Sequence, residues 1–126
     1  MARMILPNLP VKDVAASRAF WTDLGFAFDD AFSTADAACL VINDQASVML
    51  LREEFFHGLH DTRPHTGTEI ALCLTATSRQ DVDELCGRAG GAGAEVRGTV
   101  DDPPTYGGSF RDLDGHIWEV LWMEPS

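Results

Sequence analysis

The stretch RDLDGHIWE, residues 111–119, decides the fold of this chain because it joins two apolar segments through Asp114-Gly115. Both residues of that pair tolerate a positive φ, so the pattern predicts a hairpin. Side chains alternate between two faces along the strand that follows. One face takes His116, Trp118, Val120 and Trp122, and the other takes Ile117, Glu119, Leu121 and Met123. The last strand therefore has an aromatic face and a face that carries a carboxylate.

Two predicted helices share one frame, which indicates an internal repeat. Asp13 caps a helix over Val14–Leu24 that ends at Gly25, and Ser78 caps a second helix that ends at Gly90-Gly91. From Asp13 to Ser78 and from Gly25 to Gly90 the offset is the same, 65 residues. The strands predicted around the helices are Met4–Leu9, Phe26–Phe28, Ala38–Ile42 and Ala46–Leu51, then Ile70–Leu74, Ala94–Arg97, Ser109–Arg111 and Ile117–Met123. Each half therefore follows the order β-α-β-β-β, and the predicted class is α+β.

Two long connections interrupt this repeat. The first, residues 52–68, joins modules of about 1–55 and 68–126 within one domain, and the second runs from Gly98 to Gly108. A connection of this length closes over a ligand or contacts a partner chain. The aromatic candidates for ligand contact in or beside these loops are Phe55, Phe56 and Tyr106, and the loop histidines are His57, His60 and His65.

Composition limits the functions that remain. The chain has 126 residues and a formal net charge of −11, which disfavours nucleic acid and anionic membranes as partners. No apolar run reaches the ~18–20 residues of a membrane span, and no secretory signal pattern opens the sequence. The three cysteines lack metal or disulfide spacing. We therefore expect a cytoplasmic protein with reduced thiols.

The motifs of both halves resemble the vicinal oxygen chelate superfamily over nearly the whole chain. This group includes glyoxalase I, extradiol dioxygenases, fosfomycin-resistance enzymes and bleomycin-resistance proteins. The matching segments are Asn8–Asp13, Val48–Leu51, Phe55-Phe56 and Arg111–Glu119, and they are most similar to a lactoylglutathione lyase-like branch. The resemblance implies that two half-barrel modules line a shared cavity for a small-molecule ligand.

The resemblance also implies four positions for metal ligands, on the first and last strands of each half. Leu6 and Leu50 occupy the two positions in the first half, whereas Glu69 and Glu119 occupy those in the second. The usual ligand set is therefore incomplete. Two carboxylates together with several waters would suit Mg²⁺ or Mn²⁺. The resembling family also uses Ni²⁺, Zn²⁺ or Fe²⁺. The alternative is a protein that binds no metal.

Two functions have features of the sequence in their favour at this stage, and a third, a non-catalytic interaction or regulatory domain, stays open without a specific feature. In the first, a glyoxalase-like lyase or isomerase acts on a molecule with adjacent oxygens, with Glu69 and Glu119 as metal ligands or as an acid–base pair. In the second, a metal-free protein of the bleomycin-resistance type binds a small molecule, and the acidic surface attracts a cationic compound. A homodimer is expected for either, because modules of this size leave sheet edges and aromatic surface to cover.

Overall fold

The chain consists of two compact units, each with its own four-stranded mixed sheet. The structure is a computed structural model that describes residues 4–63 and 67–125. The units are Met1–Thr66 and Gly67–Ser126, and both follow the order β-α-β-β-β. The α+β class and the repeated module predicted from the sequence are thereby confirmed. Within the described residues, no helix has both the length and the apolar character needed to cross a membrane.

The first unit places one helix against a sheet of strand order β1-β4-β3-β2. Its elements are β1 (Asn8–Val11), α1 (Val14–Asp23), β2 (Ala27–Phe28), a 3-10 turn (Asp30–Phe32), β3 (Ala37–Asn43), β4 (Ala46–Arg52) and α2 (Glu53–His60). The Asp13 carboxylate caps α1 by accepting a hydrogen bond from the Ala16 amide at 3.0 Å. After α1 the chain turns at Gly25, whose φ is 98°.

The second unit repeats this arrangement with the strand order β5-β8-β7-β6. Its elements are β5 (Ala71–Thr75), α3 (Arg79–Gly91), β6 (Glu95–Asp102), β7 (Thr105–Arg111) and β8 (Ile117–Met123). Strand β5 runs parallel to β8, and the other pairs are antiparallel. Helix α3 covers one face of this sheet, where Phe110, Trp118 and Val120 are buried. The opposite face of the sheet, called the open face below, is not covered by α3.

Two segments expected to be loops are ordered elements. Residues 98–108 belong mostly to the β6–β7 hairpin, and the prolines at 103 and 104 lie in its turn. Proline lacks an amide donor, so it interrupts a ladder but is tolerated between two strands. The connection at 52–68 contains the helix α2 over Glu53–His60. Its first turn carries Glu53 and Glu54 and its last turn His57 and His60, an order that favours a helix through its dipole.

One predicted boundary also shifts. Strand β1 starts at Asn8 rather than at Met4, and it includes Pro10, which an edge strand with one neighbour accommodates. Helix α3 ends at Gly91, within the predicted glycine pair, and the left-handed residue that follows is Gly93, with φ 106°.

Candidate functional site

The open face of the second sheet carries a row of polar side chains that crosses all four strands. Glu119 on β8 pairs in register with Cys73 on β5 and with Ser109 on β7, and Ser109 pairs with Arg97 on β6. In the next row Arg111 pairs with Ile117. Directly opposed residues on a sheet have Cβ atoms roughly 5 Å apart, so the functional groups of this row are neighbours.

A cavity of about 160 Å³ lies over this row. Its lining residues are Arg97, Ser109, Phe110, Arg111, Ile117 and Glu119. The cavity has room for several waters or one small organic molecule. This cavity is the candidate site of the second unit.

The two arginines of the cavity are not held by carboxylates. Within the described ranges, neither Arg97 nor Arg111 has a carboxylate oxygen within 4.0 Å, whereas Arg18, Arg52 and Arg79 each do. Arg111 Nη1 lies 3.5 Å from the Gly115 carbonyl oxygen, which is a weak contact. Both guanidinium groups therefore remain available to a ligand.

Sequence reasoning placed Arg97, Ser109 and Arg111 on predicted strands but did not identify them as a group. Alternation along the predicted strand Ser109–Arg111 already puts Ser109 and Arg111 on one face. The register between β6 and β7 brings Arg97 beside Ser109. No local signal in the sequence gives that register, because it is a property of strand pairing.

Cys73 lies beside Glu119 but stays protonated. Burial, followed by the negative charge of Glu119, raises the pKa of the Cys73 thiol. Because the thiolate is the nucleophilic form, a raised pKa suppresses nucleophilic chemistry at neutral pH. Cys73 therefore contributes an uncharged side chain to this row of residues.

The second predicted carboxylate, Glu69, does not line this cavity. Glu69 is exposed and precedes β5, four residues before Cys73, the register partner of Glu119. Glu69 thus lies outside the residues that line the cavity, and an acid–base pair of Glu69 with Glu119 stays a prediction.

The predicted aromatic ligand contacts lie elsewhere. Tyr106 belongs to the α3 side of the sheet, where its hydroxyl donates a hydrogen bond of 2.7 Å to Asp83 and its ring lies under Arg79. Phe55 and Phe56 lie on α2 in the first unit. The Phe56 ring makes an edge contact with His60, with centroids 4.8 Å apart.

Three of the four histidines lie within the described residues, and each takes part in a local contact. His57 Nδ1 lies 3.0 Å from Thr62 Oγ1, and His60 Nε2 lies 3.2 Å from Asn8 Oδ1. His116, in the turn before β8, is half-buried, and its amide donates to the Asp112 carboxylate. His65 lies outside the described residues.

The described side chains do not fit the metal site of the resembling family. Across residues 4–63 and 67–125, no group of three or more His, Cys, Asp or Glu is close enough to hold a metal ion. The strand register also corrects the assignment of Leu50 to a ligand position. In the second unit β5 pairs Cys73 with Glu119, and the equivalent pair of β1 and β4 in the first unit is Asn8 with Met49. The first-unit counterpart of Glu119 is therefore Met49, a residue with no carboxylate. Leu50 is fully buried and points to the other face of the sheet.

A buried carboxylate outside the cavity holds the turn before β8. Asp112 Oδ1 accepts hydrogen bonds from the amides of Asp114 (2.9 Å) and His116 (3.0 Å), and Oδ2 accepts one of 3.0 Å from Trp118 Nε1. Burial raises the pKa of Asp112, although His116 and these hydrogen bonds act in the opposite direction. Asp112 thus positions the start of β8, the strand that carries Glu119.

Comparison with known proteins gives one family and several similar structures. The sequence model of the Glyoxalase/Bleomycin resistance protein/Dioxygenase superfamily matches residues 4–120. A hypothetical protein from S. aureus is similar at 27% identity and a TM-score of 0.85, with 97% of this chain and 94% of that chain covered. No curated protein matches.

Two further structures are similar in fold. A glyoxalase/bleomycin resistance protein/dioxygenase family enzyme from Burkholderia phytofirmans PsJN has 17% identity and a TM-score of 0.86, with 97% of this chain and 99% of that chain covered. A lactoylglutathione lyase from Agrobacterium tumefaciens has 18% identity and a TM-score of 0.72, with coverages of 97% and 94%. At these identities the likeness concerns the fold alone.

Proposed function

The chain belongs to the Glyoxalase/Bleomycin resistance protein/Dioxygenase superfamily, and on that premise we propose that it is a glyoxalase-like enzyme that isomerises a small molecule with adjacent oxygens. The single observation that carries this proposal is the position of Glu119 in a small cavity beside a hydroxyl and two guanidinium groups. Members of such a superfamily catalyse different reactions on one fold, so the reaction has to be inferred from the residues of the site.

Glu119 is the proposed base. Its carboxylate removes a proton from the carbon next to a substrate carbonyl, and the electron pair of the broken C–H bond moves to the carbonyl oxygen. The same carboxyl group then delivers the proton to the former carbonyl carbon. The hydroxyl proton on the first carbon passes to the former carbonyl oxygen, so that the new carbonyl forms at the first carbon. Such proton transfer by a positioned carboxylate contributes about 10²–10⁴-fold to a rate.

The neighbouring groups stabilise the charge that develops. Ser109, the register partner of Glu119, offers a hydroxyl donor to the oxygen that becomes negative. Arg111 lies diagonally from Glu119, at about 7–8 Å between their positions on the sheet, and its positive charge adds to the local field that stabilises this oxygen. The step uses protein groups only, since the donor set of the described residues does not fit the metal.

Solvent deuterium exchange tests the proposal. The full chain is incubated in D₂O with three probes: the hemithioacetal of methylglyoxal and glutathione, dihydroxyacetone and hydroxypyruvate. We expect the wild type to accelerate exchange of the C–H beside the carbonyl for at least one probe, followed by NMR. Glu119→Gln should slow that exchange about 10²-fold or more. Glu84→Gln, on exposed α3, is the matched control and should leave the rate unchanged.

The outcomes separate the proposal from its alternative. Exchange that is equally fast in Glu119→Gln and the wild type would show that another group moves the proton. Binding of a probe with no exchange in any variant would contradict the enzyme and leave a small-molecule binding protein of the bleomycin-resistance type.

A further inference from the structure

The cavity on the open face is locally positive in an acidic protein. The chain carries twenty Asp plus Glu against nine Lys plus Arg. The cavity lining nevertheless includes two arginines and a single carboxylate. Neither arginine forms a salt bridge with a described residue. A site that concentrates unpaired guanidinium groups against the net charge of the molecule selects for anions.

We infer that the ligand of this cavity is a small carboxylate with a hydroxyl or carbonyl oxygen on the neighbouring carbon, and that Arg97 and Arg111 hold its charged end. The inference deepens the proposed function and rests on it for the place of the reacting carbon. It assigns a substrate class and two specificity-determining residues to the site.

The sheet register supplies the geometry for this ligand. Arg97 pairs with Ser109, and Arg111 lies two residues along β7 from Ser109. The two arginines are therefore diagonal neighbours, about 7–8 Å apart on the sheet, which side chains of this length bridge easily. The planar fork of a guanidinium matches a carboxylate in a bidentate pair. A carboxylate between the two arginines places the adjacent oxygen at Ser109.

Glu119 fixes the direction in which the ligand lies in the cavity. It lies on the opposite side of Ser109 from Arg97, since β7 separates β6 from β8. Its negative charge repels the carboxylate of the ligand and attracts an acidic C–H. The ligand is therefore held in one direction, with its charged end toward β6 and its reacting carbon toward β8.

The size of the cavity limits the ligand further. About 160 Å³ accommodates a molecule of a few carbon atoms, and a larger ligand such as a glutathione adduct would extend beyond the cavity. The positive charge and the volume together favour a short hydroxy or oxo acid.

One carboxylate competes with the ligand. Glu95 on β6 is the register partner of Arg111 and lies on the same face. The two side chains form no salt bridge, so Arg111 is not neutralised by contact. At this separation Glu95 still reduces the positive potential at the cavity. Removing its charge should therefore strengthen anion binding.

A matched pair of probes tests the inference. Lactate and lactamide have nearly the same shape, and only lactate carries the charge. We expect lactate to bind the full chain at least tenfold more tightly than lactamide in an NMR titration of the labelled protein. The amide signals that move should include those of Arg97, Ser109, Arg111 and Glu119.

Variants identify the groups that recognise the charge. Arg97→Gln and Arg111→Gln should each weaken lactate binding about tenfold, whereas Arg88→Gln, on α3, should not change it. Glu95→Gln should strengthen it roughly threefold. Arg97→Lys keeps the charge without the fork and should recover part of the loss. The amide spectrum of each variant checks that it is folded, and added salt should weaken lactate binding but not lactamide binding.

Equal affinity for the two probes, or no binding of either, would overturn the inference. Lactate binding that is insensitive to both arginine substitutions in folded variants would overturn it as well. The proposed function fails separately: arginine-dependent lactate binding without deuterium exchange on any probe supports the ligand class and contradicts the enzyme. Exchange on dihydroxyacetone without a preference for lactate supports the enzyme and contradicts the ligand class.

Discussion

At the scale of single residues, Asp112 and Glu119 show how burial gives two nearby carboxylates different roles. Asp112 is buried, and three hydrogen bonds from protein donors saturate its two oxygens. Glu119 is exposed to the cavity and faces Ser109 and Cys73. A carboxylate whose oxygens are occupied supports structure, whereas one that faces a cavity is available to a ligand.

Replacing Asp112 by Asn should destabilise the protein by about 1–3 kcal/mol. An amide has one acceptor oxygen, so the carboxamide NH₂ would face either Trp118 Nε1–H or the two amide donors of the turn. Urea unfolding measures the loss. Asp44→Asn, in an exposed turn of the first unit, is the control and should leave the unfolding free energy nearly unchanged. Equal stability of the two variants would contradict the structural role of Asp112.

The same residue predicts a pH dependence with a defined sign. Burial raises the pKa of Asp112 in the folded protein above its ordinary value of 3.8. The folded state therefore keeps this proton to a higher pH than the unfolded chain does, and the contribution of Asp112 to stability falls as pH rises from 3.8 through the raised pKa.

The free-energy difference between the wild type and Asp112→Asn should therefore shrink as pH rises through this window and be constant above it. Urea unfolding of both proteins from about pH 3.5 to pH 7 measures it. A difference that grows with pH would mean that the hydrogen bonds outweigh burial and lower the pKa instead.

At the scale of elements, the second unit depends on the close approach of α3 to β7. A Cβ atom built on Gly108 would lie 2.9 Å from Cys86 Sγ and 3.6 Å from Val82 Cγ1. Glycine is thus required here for space, since its φ is not in the left-handed region. The contact sets the distance between helix and sheet and so the shape of the layer beneath the open face.

Gly108→Ala should lower the unfolding free energy by about 1–3 kcal/mol through overpacking. Gly98→Ala on β6, where a Cβ would meet nothing within 4 Å, is the matched control and should be neutral or slightly stabilising. Adding Cys86→Ala removes the sulfur and should recover part of the loss. A double-mutant cycle with no coupling between the two positions would contradict this explanation.

At the scale of the whole molecule, the net charge bears on the binding of anions, whereas the exposed apolar surface of the first unit bears on association with another chain. We expect the net charge of −11 to disfavour binding of anionic polymers, and we infer that the cavity arginines reverse this preference locally. In the first unit, Ile5 and Leu59 are 82% and 58% exposed. Their segments lie near one another, since α2 packs beside β1 and His60 contacts Asn8. Exposed aliphatic side chains of this size are candidates for burial between chains.

Self-association stays a prediction, and a second copy of the chain is the partner we expect. Sedimentation equilibrium should give twice the chain mass of 13.7 kDa. Ile5→Asp with Leu59→Asp should shift the mass toward one chain, because charged residues are unfavourable in an interface core. Val100→Asp, at an exposed position of the second unit, is the control. A wild-type mass of 13.7 kDa would contradict the dimer.

Much of the fold could be predicted from local signals. Asp13 and Ser78 were identified as caps, and Asp114-Gly115 as a hairpin turn, because each depends on backbone chemistry within a few residues. The candidate site was predicted only in part. Glu119 was identified, but its neighbours lie on strands separated from it by up to 46 residues, the distance along the chain to Cys73. Register across strands, on which those neighbours depend, is a property of pairing and not of local sequence.

The sequence by itself determined the repeat, the class of fold and the acidic character of the protein, because periodicity, caps and charge are properties of the chain. Only the tertiary structure decided that residues 98–108 belong to the β6–β7 hairpin, that Tyr106 belongs to the helix side, and that Glu69 lies outside the cavity that Glu119 lines. It also placed Arg97 and Arg111 at the same cavity as Glu119. The physical reason is that a sheet joins distant residues by hydrogen bonds between strands, and a shift of one residue in that pairing moves each side chain to the opposite face.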